Sequence, residues 1–149
     1  MRQMDDADAR EISVWRYEPP YDFYNGDADP ADLAELLDPK RRKDVYFSVL
    51  DDGDRLVGFF QVENEVKSVD VVPGLRPDLP GRGLGVEFVL AGLAFARERF
   101  SPGRFTVSVA TFNARAIRIY DRAGFRRGEV YTHETNGGEY EFPRMEREA

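Results

Sequence analysis

Between Ser68 and Phe100 the chain reads as a strand, a glycine-rich turn and a long apolar helix, and the remaining elements have to be arranged around that unit. Ser68-Val-Asp-Val-Val72 is a short β-branched run, the composition of a strand. Leu75-Arg-Pro-Asp-Leu-Pro-Gly-Arg-Gly-Leu-Gly85 follows, and behind it Val86, Val89, Leu90, Leu93 and Ala94 recur at helical spacing. The first N–H groups of such a helix have no internal partner, and the helix dipole adds positive charge there. Gly81, Gly83 and Gly85 allow the backbone to approach a bound group closely. The unit therefore predicts a site for a phosphate or pyrophosphate. The Gly-Lys-Ser/Thr ending of a Walker loop is missing. The spacing is Gly-x-Gly-x-Gly in mid-chain, not the Gly-x-Gly-x-x-Gly that opens a dinucleotide-binding unit. On the glycines alone, a tight turn without a ligand remains the competing reading.

A second pattern lies downstream. Phe105-Thr-Val-Ser-Val-Ala110 reads as a strand and leads into Asn113-Ala-Arg-Ala-Ile-Arg-Ile-Tyr120-Asp-Arg-Ala-Gly124-Phe125. Asn113 is suited to an N-cap and Gly124 to the residue after a helix, with Ala116, Ile117 and Tyr120 on one face. In this order the two patterns resemble the GNAT superfamily of acyl-CoA-dependent N-acyltransferases. That family carries Arg/Gln-x-x-Gly-x-Gly/Ala at a strand–helix junction and then Asn-x-x-Ala-x-x-x-Tyr-x-x-x-Gly-Phe. The second motif is matched at Asn113, Ala116, Tyr120, Gly124 and Phe125. The first is matched at Gly83 and Gly85, with Pro80 where Arg or Gln is usual. The resemblance covers roughly Leu56 to Glu146.

The resemblance implies an α/β fold: a mixed, strongly twisted, mostly antiparallel sheet with splayed central parallel strands and helices on both faces. It implies acetyl-CoA as cofactor. The pantetheine arm would enter between the splayed strands and pair with the edge around Val72 to Leu75, where Gly74 would permit a bulge. An N–H near Leu75 would polarise the thioester carbonyl. The pyrophosphate would rest on the backbone of Gly81, Arg82, Gly83, Leu84 and Gly85. Pro80 withholds a donor and a long side chain there. Arg82 either adds charge or is simply solvated. Asn113 caps its helix and, by resemblance, contacts the cofactor arm.

Tyr120 is the candidate proton donor to the leaving thiolate, against a plain core tyrosine. Where some relatives carry a basic Glu, this chain has Ser108. Asp70, flanked by Val69 and Val71, is the candidate base, its pKa raised if its side chain is partly buried; Glu63 and Glu65 lie near the other splayed strand too, and for all three a merely solvated carboxylate is the competing reading. An amine can also lose its proton through water. His133 reads as a surface residue. The competing function is an acyl-CoA-binding sensor or interaction module without efficient catalysis.

Composition narrows the field further. The 149 residues suffice for one domain, expected to span 1–149. There is no Cys and a single His, which excludes thiolate chemistry and argues against a His-rich metal site, so no metal is expected. A net charge of −7 argues against general nucleic-acid binding; it either suits a cationic amine substrate, small-molecule or peptidyl, or only aids solubility. No membrane-length apolar run or leader is visible, so a cytoplasmic location is expected, and a homodimer is compatible with the family.

In chain order, Met1 to Arg10 reads as a frayed tail and Glu11 to Tyr17 as a strand. Pro19 to Gly26 is an aromatic loop whose Tyr21, Phe23 and Tyr24 either line the acceptor pocket or lid the core. Asp29-Pro30 starts a helix through Leu37, and Asp38 to Lys43 is a charged link. Strands over Asp44–Leu50, Arg55–Val62 and Val66–Val72 form a meander. A crossover helix makes Val66–Val72 parallel to Arg104–Ala110. Gly128–Glu134 and Glu139–Glu146 form a final hairpin about Asn136-Gly137.

Overall fold

The computed structural model describes residues 1–149 apart from 20, 26–27, 81–82, 111 and 136–137, and apart from the side chains of 23, 129–135 and 138–143. The described residues form a seven-stranded sheet and five α-helices. The strands are β1 (Arg2–Gln3), β2 (Tyr46–Leu50), β3 (Leu56–Asn64), β4 (Ser68–Leu75), β5 (Arg104–Ser108), β6 (Arg126–Thr135) and β7 (Gly138–Glu148). The helices are α1 (Asp6–Ser13), α2 (Pro30–Leu37), α3 (Pro39–Arg42), α4 (Gly85–Phe100) and α5 (Ala114–Arg122). The sheet order is β1-β2-β3-β4-β5-β7-β6. Every pairing is antiparallel except β4 with β5, as the crossover through α4 requires.

Strand alternation places a separate core on each face of the sheet. On one face Phe60, Val62, Val69, Val71, Phe105, Val107 and Met145 pack under Val89, Leu93 and Ala96 of α4 and Ile117 and Tyr120 of α5. Phe60 stacks on Phe88 with ring centroids 4.7 Å apart. On the other face Phe59 meets Trp15 and Tyr46, within a cluster that includes Met4, Ala9, Ile12 and Leu36. Helices therefore cover both faces.

Three sequence expectations are corrected. The N-terminus is no frayed tail, because β1 pairs with β2 and Asp5 caps α1 by accepting from the Asp8 N–H at 2.8 Å. The strand expected over Glu11–Tyr17 is instead the end of α1 and the segment after it. Ala9 and Ile12 are spaced for a helix, and the Ser48 hydroxyl donates to the buried Asp8 carboxylate at 2.7 Å. The link over Asp38–Lys43 contains α3, and its Arg42 is 4% exposed. That guanidinium donates to the carbonyls of Leu36 (2.7 Å) and Met4 (3.2 Å) and pairs with Asp6. A buried charge persists only when so satisfied. The expected turn at Asn136-Gly137 lies outside the described residues.

The parallel pair is short, and its end shapes the site. β4 and β5 pair from Ser68↔Arg104 to Asp70↔Thr106, after which β4 runs on to Leu75 and β5 to Ser108 without meeting. The β3–β4 register is unbroken from Asn64↔Val69 to Gly58↔Leu75, so Gly74 does not form the bulge expected of it. It is needed for another reason: a Cβ there would collide with the ring of Phe59, its cross-strand partner.

Candidate active site

The fork between β4 and β5 opens into a cavity of about 430 Å3 on the face covered by α1 and α2. A second cavity of about 120 Å3 lies toward α4, lined by Gly85, Phe88 and Ile119. Pro73, Leu75, Pro80, Asn113, Arg115, Ala116 and Tyr120 line both, so the two spaces form one passage through the sheet. Its walls on the first side include the aromatic side chains of Trp15, Tyr17, Tyr21, Tyr24, Tyr46 and Phe59. Asp29 and Asp32, at the start of α2, also reach it. The Asp29 side chain caps that helix, as the Asp-Pro pair predicts.

Backbone direction at the fork follows from the register. The Arg76 N–H donates to the Val57 carbonyl. Since successive strand residues direct their backbone groups to opposite edges, Gly74 and Val72 also face β3, while Val71, Pro73 and Leu75 face the gap. Val72 and Gly74 thus contribute their side-chain face to the cavity, not backbone donors. Pro73 has no N–H, so Leu75 carries the last donor on this edge. Its carbonyl is already held by the Tyr17 hydroxyl at 2.5 Å.

α5 brings the downstream motif to the passage. Asn113 Oδ1 accepts from the Ala116 N–H at 3.1 Å, the expected cap, and Gly124 follows the helix with φ of 94°. The cap fixes the amide so that Nδ2 faces outward, where it donates to the Tyr24 hydroxyl at 3.1 Å. Tyr120 is 7% exposed and packs edge-on against Phe125 at 5.7 Å. Burial pushes its phenol pKa up, reinforced by Tyr24 and by the Asp70 carboxylate. The phenol has no hydrogen-bond partner among the described residues, and no buried side-chain oxygen among them is unsatisfied. Its hydroxyl therefore opens into the passage it lines.

Asp70 stands at the last paired position of the fork and does not line either cavity. Burial raises its pKa, opposed by the Thr106 hydroxyl, which donates at 2.7 Å; Glu63 and Glu65 raise it further and Arg144 lowers it. Ser108 does line the cavity. At the other end, Leu84 caps α4 without a side-chain hydrogen bond, and Gly83 enters it at φ of 77°. The N–H groups of the first turn are thus left for a ligand. Gly81 and Arg82 lie outside the described residues. Tyr21 and Tyr24 prove to be cavity residues, while the side chain of Phe23 lies outside the described residues. Sequence reasoning missed Tyr17, assigned to a strand, and Arg115, whose guanidinium lies 4.2 Å from the centre of the Tyr21 ring.

A βαβ fork thus carries a helix N-terminus without a side-chain cap on one side and a pocket with several aromatic walls on the other. The family model described as "Acetyltransferase (GNAT) domain" matches residues 1–126, and the chain belongs to this family, whose members use acetyl-CoA. Mycothiol acetyltransferase from Rhodococcus opacus (strain B4) is 39% identical over 83 residues, 51% of this chain and 27% of that protein. The enzyme of the same name from Actinosynnema mirum is 36% identical over 88 residues, 56% of this chain and 29% of that protein. The match thus spans less than a third of these relatives' length. Among solved structures, a chimera of Vibrio cholerae spermidine N-acetyltransferase and hSSAT superposes with a TM-score of 0.80 at 20% identity, covering 99% of this chain and 93% of that one. A GNAT-family acetyltransferase from Bacillus anthracis gives 0.78 at 14% identity, covering 99% and 92%. The Vibrio cholerae spermidine enzyme in complex with CoA and spermine gives 0.72 at 20%, covering 99% and 93%. At these identities the superpositions bear on the fold.

Proposed function

We propose that this chain is an N-acetyltransferase that moves an acetyl group from acetyl-CoA to a primary amine. The observation that carries the reading is the single passage through the fork, with Tyr120 lining both of its halves. The chain's groups fit the cofactor: the open first turn of α4 suits the pyrophosphate, and the Leu75 N–H and Asn113 suit the arm and its thioester. Acetyl-CoA supplies the activated acyl group.

The residues do the rest. The Leu75 N–H, on the open edge of β4, polarises the carbonyl and stabilises the oxyanion that develops on attack. Tyr120 hydrogen-bonds the departing sulfur. The phenol is neutral at working pH and donates its proton as the C–S bond breaks. The amine releases its proton through water, with Asp70 behind the fork as the candidate acceptor, since burial has moved it toward the range useful in a base. The aromatic walls and the Asp29 and Asp32 carboxylates suit an acceptor that arrives as an ammonium ion. Structural neighbours named for N-acetylation of spermidine agree with that class.

The test is thiol release from acetyl-CoA across a panel of mono-, di- and polyamines, on the parent and on Tyr120→Phe. The variant keeps nearly all the packing and loses the donor. Its kcat should fall by about a hundredfold to ten-thousandfold with acetyl-CoA affinity nearly unchanged. Tight CoA binding without turnover of any amine would favour the acyl-CoA-binding module instead, a reading that Ser108 and the withdrawn Asp70 keep in view.

A further inference from the structure

Among the described residues that line the passage, Arg115 carries a charge that no ion pair takes up. It lies in the first turn of α5, a helix with no acidic residue in that turn, where the dipole disfavours a cation. It is half-buried, yet no carboxylate among the described residues pairs with it; its described contact is the face of Tyr21. It lines both cavities beside Pro80, and the second cavity includes Gly85 at the open N-terminus of α4. Ile119, one turn further along α5, packs directly onto Gly85, which holds the two helix N-termini together. Two helix dipoles and an unpaired guanidinium therefore converge on one groove, in a chain whose net charge of −7 repels anions at longer range. At the other wall of that groove, Pro80 offers neither an N–H nor a polar side chain.

We propose that the Arg115 guanidinium binds the pyrophosphate of CoA, supplying from α5 the side-chain contact that Pro80 cannot make at the entry to α4. The planar fork can hold two phosphate oxygens at once while its face remains on Tyr21. This ties the acceptor loop to the cofactor, because Tyr21 lines the amine side of the passage. The inference rests on the acetyl-CoA reading, and the experiment separates the two.

Calorimetric titrations would compare CoA, dephospho-CoA, which keeps the pyrophosphate but lacks the 3′-phosphate, and pantetheine, which lacks every phosphate. In Arg115→Gln, CoA and dephospho-CoA should both weaken by about ten- to a hundredfold, the loss expected for one charge-assisted contact. Pantetheine should be unaffected. Arg115→Lys, which keeps the charge without the fork, should fall between and serves if the glutamine variant does not fold. Equal CoA affinity in parent and variant would overturn the assignment. So would a matching loss for pantetheine, which marks a structural role, or a loss confined to CoA, which marks the 3′-phosphate. A parent protein that binds no CoA at all would instead overturn the acetyl-CoA reading beneath it.

Discussion

Asp70 is held where β4 and β5 part, and burial there makes its ionisation a property of the whole fork. The folded carboxyl has a raised pKa, so the native state binds a proton more tightly than the unfolded chain, whose Asp titrates near about pH 3.9. The stability this proton confers is complete below that value and is lost as pH rises through the higher folded pKa. Asp70→Asn cannot ionise and still offers an oxygen to the Thr106 hydroxyl. Denaturant unfolding should therefore show the variant gaining on the parent as pH climbs from about 4 to about 8. Parallel stability curves would mean that the carboxyl is solvated in the folded state. If Asp70 also receives the amine's proton, the same variant loses the acid limb of the kcat profile. Tyr120 is shifted in the same direction, and its raised pKa keeps it protonated at neutral pH, so no alkaline limb near pH 8 belongs to it.

The entry to α4 is an element designed around one backbone angle. Gly83 sits at φ of 77° with open space where a side chain would go, so a substitution is strained without clashing. Gly83→Ala should cost about 1–2 kcal/mol of stability and tilt the first-turn N–H groups, weakening CoA more than a pantetheine fragment. Unchanged CoA affinity by titration would mean the phosphates lie elsewhere. α2, α4 and α5 were legible because their signals are local: Asp29-Pro30, the glycine turn, and Asn113 with Gly124. The parallel pair followed from the crossover, and its fork was expected only from the family resemblance. α1 was illegible because its evidence is tertiary. Asp8 is tolerable inside because Arg2 and Ser48 donate to it, and Arg42 because Asp6 and the carbonyls of Met4 and Leu36 accept from it. Tyr17 was lost with α1, and its bond to Leu75 spans contacts that no window of sequence holds. Arg115 was hidden differently, at a position the Asn-x-x-Ala motif leaves free.

At the scale of the molecule, two cores grip opposite faces of one sheet, and that sheet is incomplete at its centre. β3 and β4 are laddered throughout and β5 is laddered to β7, but beyond Asp70↔Thr106 nothing in the described residues joins β4 to β5. A ligand arm lying in the fork would supply bonds that the protein itself lacks and would couple the α4 and α5 side to the α1 and α2 side. Binding to the native state alone stabilises by about 2.7 kcal/mol at a hundredfold excess over Kd. At roughly 2–4 °C per kcal/mol for a chain of this size, saturating acetyl-CoA should raise Tm by about 5–11 °C. The size of that shift cannot say where the ligand sits, so the decisive reading is residue-resolved hydrogen exchange. The amides of Leu75 on the gap edge and of Gly85 to Glu87 in the first turn of α4 should slow with acetyl-CoA, and Phe47 to Leu50 in β2, which line neither cavity, should change little. A higher Tm with Leu75 and the α4 turn unprotected would place the ligand outside the fork and remove the basis for the passage as the site of acetyl transfer.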